Sequence, residues 1–96
     1  MTYLKEMQQI RVTVKTKHNT IDMSIVVVRQ DRTTKALEAW KCVVMHVHSY
    51  QLKHDTKLGE FIKRLTTGVE PRVTIYLDDD GWYIHRHTQL NIVGVY

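Results

Sequence analysis

The chain has 96 residues, 43% hydrophobic and 25% charged, which allows one hydrophobic core and excludes disorder and collagen-like repeats. One cysteine excludes a disulfide framework and any zinc site built on two or more cysteines, and no apolar run approaches the roughly 20 residues of a membrane-spanning helix. The net charge of +4 sits in residues 1–48, with eight basic and four acidic side chains, while residues 49–96 balance at six each; this asymmetry points to an acidic partner, either nucleic acid or an acidic protein surface.

The N-terminal MTYLKEMQQ lacks the apolar stretch of a signal peptide. The expectation is one soluble, cytoplasmic domain over residues 1–96, with no membrane contact. Ile10, Val12 and Val14 then alternate with Arg11, Thr13 and Lys15, the period of a half-buried strand. After Lys17-His18-Asn19-Thr20, a second alternating run carries Ile21, Met23, Ile25 and Val27, so the two form a hairpin. The predicted register sets Val14 against Met23, Val12 against Ile25, Ile10 against Val27, and Lys15 against Asp22.

Gln30 to Lys41 reads two ways: a short helix capped by Asp31 or Thr33, or a long connection. Trp40 to Tyr50 is rich in β-branched residues and reads as a strand covered on both sides over its first half. The clearest helix follows, with Asp55 or Thr56 as N-cap. Its stripe of Leu58, Phe61, Ile62 and Leu65 is expected to be buried, Gly68 is the C-terminal stop, and Pro71 bars any continuation.

A second hairpin alternates through Val73, Ile75 and Leu77, with Asp80-Gly81 as a type I′ turn. That turn pairs Leu77 with Ile84, Tyr76 with His85, Asp78 with Tyr83 and Thr74 with His87. It also sets Ile75 against Arg86, an apolar-to-charged mismatch. Leu90 to Tyr96 is a last apolar strand, and its edge is the expected site of a homodimer contact. The order βββαβββ predicts an α+β domain: a mainly antiparallel sheet of about five or six strands with one amphipathic helix packed on a face.

Two constellations carry chemistry. His46/His48 and His85/His87 each put two imidazoles on one face of a strand, where they could hold a metal or act as acid and base. Asp78-Asp79-Asp80-Gly81 lacks the spaced ligands of a calcium loop and reads as a turn with solvated carboxylates. Cys42 reads as a small core residue. The heavier weight falls on the polar face of the second hairpin, where Arg72, Thr74, Tyr76, Tyr83, His85 and His87 lie together; Arg11, Lys15 and Lys17 add charge from the first hairpin. Such residues stack on bases, contact phosphates or anchor a protein surface. The function expected is therefore that of a small non-enzymatic binding protein, of regulator or inhibitor type. Its partner would be nucleic acid or a protein of nucleic-acid metabolism, with no cofactor and no metal. The competing reading is a histidine-centred enzyme or metal-binding protein.

Overall fold

The computed structural model describes residues 4–31, 36–53 and 56–96. Six strands follow one another as an antiparallel meander: β1 (Gln9–Lys15), β2 (Thr20–Asp31), β3 (Glu38–Gln51), β4 (Arg72–Asp78), β5 (Gly81–Ile84) and β6 (Thr88–Val95). The helix α1 (Lys57–Thr66) lies between β3 and β4. β1 pairs with β6 as well as with β2, so the strands form a closed barrel. The α+β arrangement expected from the sequence, an open sheet with a helix on one face, is corrected by that pairing. Alternation reports which face of a strand is buried, not which strand lies beside it, and a layered sheet and a barrel share the same period of two.

Closure requires a strongly coiled sheet, and bulges supply the curvature. The register shifts three times between β2 and β3, at Asp22/Met23, Ser24/Ile25 and Val27/Arg29, and once between β1 and β6. Each bulge bends its strand and adds right-handed twist. The interior is filled by Ile10, Val12, Val14, Ile21, Met23, Ile25, Val27, Trp40, Cys42, Val73, Ile75, Ile84 and Leu90, none more than 6% exposed. A barrel of this strand number is packed solid by its own side chains. Ligands must therefore bind outside it.

The helix closes one end. Ile62 and Leu65 join the barrel core, whereas Leu58 and Phe61, expected to be buried with them, are only half-buried. Thr56 is the N-cap, its hydroxyl accepting from the Gly59 amide at 2.9 Å; Asp55, the other candidate, lies outside the described residues, as does Thr33. Gly59 sits so close to the Lys53 carbonyl that a Cβ there would collide with it. Gly68 ends the helix at φ +74°, as the sequence requires. Asn19 ties the β1–β2 loop to this end: its side-chain Oδ1 accepts from the Lys53 amide and its NH₂ donates to the Thr56 hydroxyl. Between Gln30 and Lys41, β2 runs to Asp31 and β3 starts at Glu38, so Asp31 is a strand residue and not a cap.

Both hairpins form, and both are two residues out of the predicted register. In the first, Val14 faces Ile21, Val12 faces Met23 and Ile10 faces Ile25. The loop is Thr16–Asn19, held by the Thr16 amide on the Asn19 carbonyl at 2.8 Å. A slip of two preserves the buried face, so periodicity could not detect it. It does move Asp22 opposite Thr13, where the fork of Arg11 binds it through two bonds of 2.8 and 3.0 Å. In the second hairpin Tyr76 faces Tyr83, Leu77 faces Trp82 and Asp78 faces Gly81. The turn is Asp79-Asp80, with Asp78 Oδ1 accepting from the Asp80 amide and the positive φ falling on Gly81 at +113°. This is the glycine of a turn-plus-bulge hairpin, not of a type I′ turn.

Two outcomes are expected. Ile62→Ala should lower the unfolding free energy by about 2–5 kcal/mol through a cavity in the core, with Phe61→Ala costing less; urea denaturation compares them. The Arg11 guanidinium holds the Asp22 carboxyl below its ordinary value of 3.8, outweighing the opposing effect of burial. The stability this contributes is complete above the ordinary value and is lost as pH falls through the depressed one. The stability difference between wild type and Asp22→Asn should therefore shrink on acidification below pH 3.8, as read from denaturation midpoints across an acid series.

Candidate functional site

β5 is four residues long and pairs with β4 only at Tyr76, Leu77 and Asp78. The first half of β4, from Arg72 to Ile75, thus has no β5 residue beside it. The chain leaves the sheet there through the turn His85-Arg86-His87, closed by the Thr88 amide on the His85 carbonyl at 3.1 Å. Phe61 of α1 approaches this gap and lies flat on the His85 ring at 4.4 Å. The result is an open groove of about 730 Å³ on the outside of the barrel. Its walls are Val28 and Arg29 of β2, Lys41 and Val43 of β3, Arg72, Thr74 and Tyr76 of β4, and Phe61, His85 and Arg86.

Four of those side chains are cations, and no carboxylate among the described residues lines the groove. Arg29 and Lys41 stand directly opposite each other across the β2–β3 ladder, an arrangement that like charges disfavour. Lys41 has Asp31 at 3.8 Å and Arg72 has Glu70 at 3.4 Å, both largely solvent-exposed contacts that contribute little and exchange readily. Arg29 and Arg86 make no ion pair among the described residues. The groove lining is net positive.

The rings supply the second property. Tyr76 and Tyr83 are stacked at 5.1 Å with 15° between their planes, and His87 follows at 4.1 Å from Tyr83. One aromatic row therefore runs outward from the Tyr76 wall of the groove, while the Phe61–His85 stack makes another wall. His85 is kept below its ordinary pKa by burial, with Arg86 and Arg64 adding to the effect, so it is a neutral ring at pH 7. Burial, with Asp78 and Tyr76, raises the Tyr83 phenol, which keeps a hydroxyl donor in the row. Arg86 and His87 both take positive φ, at 53° and 62°. For side chains with a Cβ this costs roughly 1–2 kcal/mol per residue, and the turn bears it to carry Arg86 to the groove and His87 to the row.

Neither a family model, nor a curated protein, nor a solved structure matches this chain. The functional reading rests on the geometry of the groove itself.

Of the residues expected from the sequence, Arg72, Thr74, Tyr76 and His85 line the groove, and Tyr83 and His87 form the row beside it. His85 and His87 do not lie on a strand face, as the predicted register had implied; they sit in the turn and contact different neighbours. Arg11, Lys15 and Lys17 are not in the groove lining, and Arg11 is held by Asp22. His46 and His48 meet edge to face at 4.6 Å on β3, and His48 Nε2 lies 2.8 Å from the Ser24 hydroxyl. Among the described residues, no group of three or more potential ligand side chains includes His46, His48 or His85. The four imidazoles do not converge on one ion.

Sequence reasoning missed Arg29, Lys41, Arg86 and Phe61. The cross-strand clash of Arg29 with Lys41 becomes visible only once the bulged β2–β3 register is known. Arg86 did leave a trace, as the charged residue that could not belong opposite Ile75. Cys42 is buried beneath the groove, and burial pushes its thiol up to about 12. It should resist thiol reagents at neutral pH in the native protein and react at the ordinary rate once urea unfolds the barrel; absorbance of the released thiolate reporter follows this directly.

Proposed function

We propose that this is a non-enzymatic binding protein for single-stranded nucleic acid, with the strand's phosphates in the cationic groove and its bases on the flanking rings. One observation carries the reading: a concave site of about 730 Å³ with four cations, no lining carboxylate among the described residues, and a ring on two of its walls. Arginine and lysine along a groove neutralise phosphates, and planar side chains stack on bases of any sequence. A duplex hides its base faces, so rings set into a groove suit a single strand better. The reading takes the protein to be cytoplasmic. No helix among the described residues is long and apolar enough to cross a membrane.

Fluorescence anisotropy with labelled single-stranded DNA and RNA tests it. Arg29→Glu with Arg86→Glu, and separately Tyr76→Ala with Tyr83→Ala, should each weaken binding about tenfold or more, since a stacked base is worth ~1–3 kcal/mol. The slope of affinity against salt should fall for the arginine variant and stay near wild type for the tyrosine variant. Undiminished binding by both variants, or no binding of either nucleic acid at low salt, would overturn the reading. Capture of a protein partner that survives nuclease treatment and is lost in the same variants would assign the groove to an acidic protein surface instead.

A further inference from the structure

At the outer end of the aromatic row lies a second group of side chains, which shares His87 with the row and lies outside the groove lining. Asp78 ends β4, Asp80 belongs to the β4–β5 turn, and His87 belongs to the β5–β6 turn. One oxygen from each carboxylate and one ring nitrogen of His87 all lie within 4.8 Å of one another. Two successive turns, one at each end of the short β5, thus deliver two oxygens and one nitrogen to one place. They border a cavity of about 320 Å³ that also reaches Tyr83 and Gln89.

We propose that Asp78, Asp80 and His87 bind one divalent first-row transition-metal ion of the zinc, cobalt or nickel class. The contact between His87 Nε2 and Asp78 Oδ2 is 3.8 Å. That is too long for a hydrogen bond, but it suits two ligands of one ion, each at about 2.0–2.2 Å from it. Two carboxylates with a neutral imidazole carry two negative charges, which a divalent ion balances. The imidazole sets the class: nitrogen with carboxylate oxygens suits borderline transition metals, whereas calcium and magnesium take oxygen alone. Three protein ligands also leave positions open to water beside the cavity. The side chains come prepared for this. Asp78 is fixed by accepting from the Asp80 amide through its other oxygen, and the His87 ring is held against Tyr83 at 4.1 Å. The site shares His87 with the aromatic row, but none of its three ligands lines the groove.

Isothermal titration of the full chain with zinc chloride, repeated with cobalt chloride and read by its visible absorption, is the test. The expected result is one ion per chain, a higher melting temperature with the metal present, and at least a tenfold loss of affinity in His87→Ala and in Asp80→Asn. Asp78→Asn keeps the oxygen that accepts from the turn, so it should fold as wild type and still lose the metal; circular dichroism checks the fold of all three. His46→Ala with His48→Ala should bind as wild type. Absence of one-to-one uptake at submillimolar zinc would overturn the proposal. So would uptake unchanged in the His87 and Asp78 variants, loss of uptake in the His46/His48 variant, or magnesium and calcium binding as tightly as zinc.

Discussion

β1 is hydrogen-bonded on both edges, to β2 and to β6, and the outer surface owes its character to that double pairing. A closed barrel of six strands has no free interior: its radius is set by strand number and tilt, and its own apolar side chains fill it. A concave surface must then be one that the wall makes by being uneven. Here β5 is too short to accompany β4 along its length, and the turn after it swings away. The helix, plugged into the barrel end by Ile62 and Leu65, brings Phe61 to the same gap. The groove is thus a by-product of unequal strand lengths in a wall that must nevertheless close.

The charges around the groove belong to different elements, and no local rule of stability places them together. Arg29 and Lys41 oppose each other across a ladder, and Arg86 stands in a left-handed turn conformation. Each is locally unfavourable, and each lies on the wall of one cavity. Elsewhere the same chain obeys the local rules: Arg11 has its carboxylate in Asp22, and Thr56 caps its helix. The like-charge pair and the strained arginine meet at one groove.

The sequence disclosed the faces of strands well and their neighbours poorly. Ile10, Val12, Val14 and their partners on β2 were legible as buried because alternation is a property of one strand at a time. The register was not, because Asn19 is fixed by Lys53 and Thr56, contacts more than thirty residues away. In the second hairpin the Asp78 side chain, not the Asp-Gly pair, decides where the chain turns. That shift exchanged the expected Tyr76–His85 pair for the Tyr76–Tyr83 stack. Closure itself was beyond pattern reading, since the bulges that curve the β2–β3 ladder are defined by which residues pair, and pairing is not read from one strand alone. The groove residues that the sequence put forward, Arg72, Thr74, Tyr76 and His85, come from β4 and the turn after β5. Those contributed by β2, β3 and the helix needed the barrel to bring them there.

The ladder between β1 and β6 pairs Ile10 with Val95, whereas every other ladder joins strands that follow one another in the chain. Hairpins can therefore form as soon as their two strands exist, but this last ladder must close a loop spanning nearly the whole chain before it gains a contact. It forms late. On a ribosome, β1 waits with one edge bare until β6 has been made, presenting unpaired amides beside Ile10, Val12 and Val14. A bare apolar edge is a template for pairing between chains. Arg11 and Lys15, which contribute nothing to the groove, interrupt that edge with charge. In the unfinished protein that charge keeps nascent molecules apart until each can close upon itself.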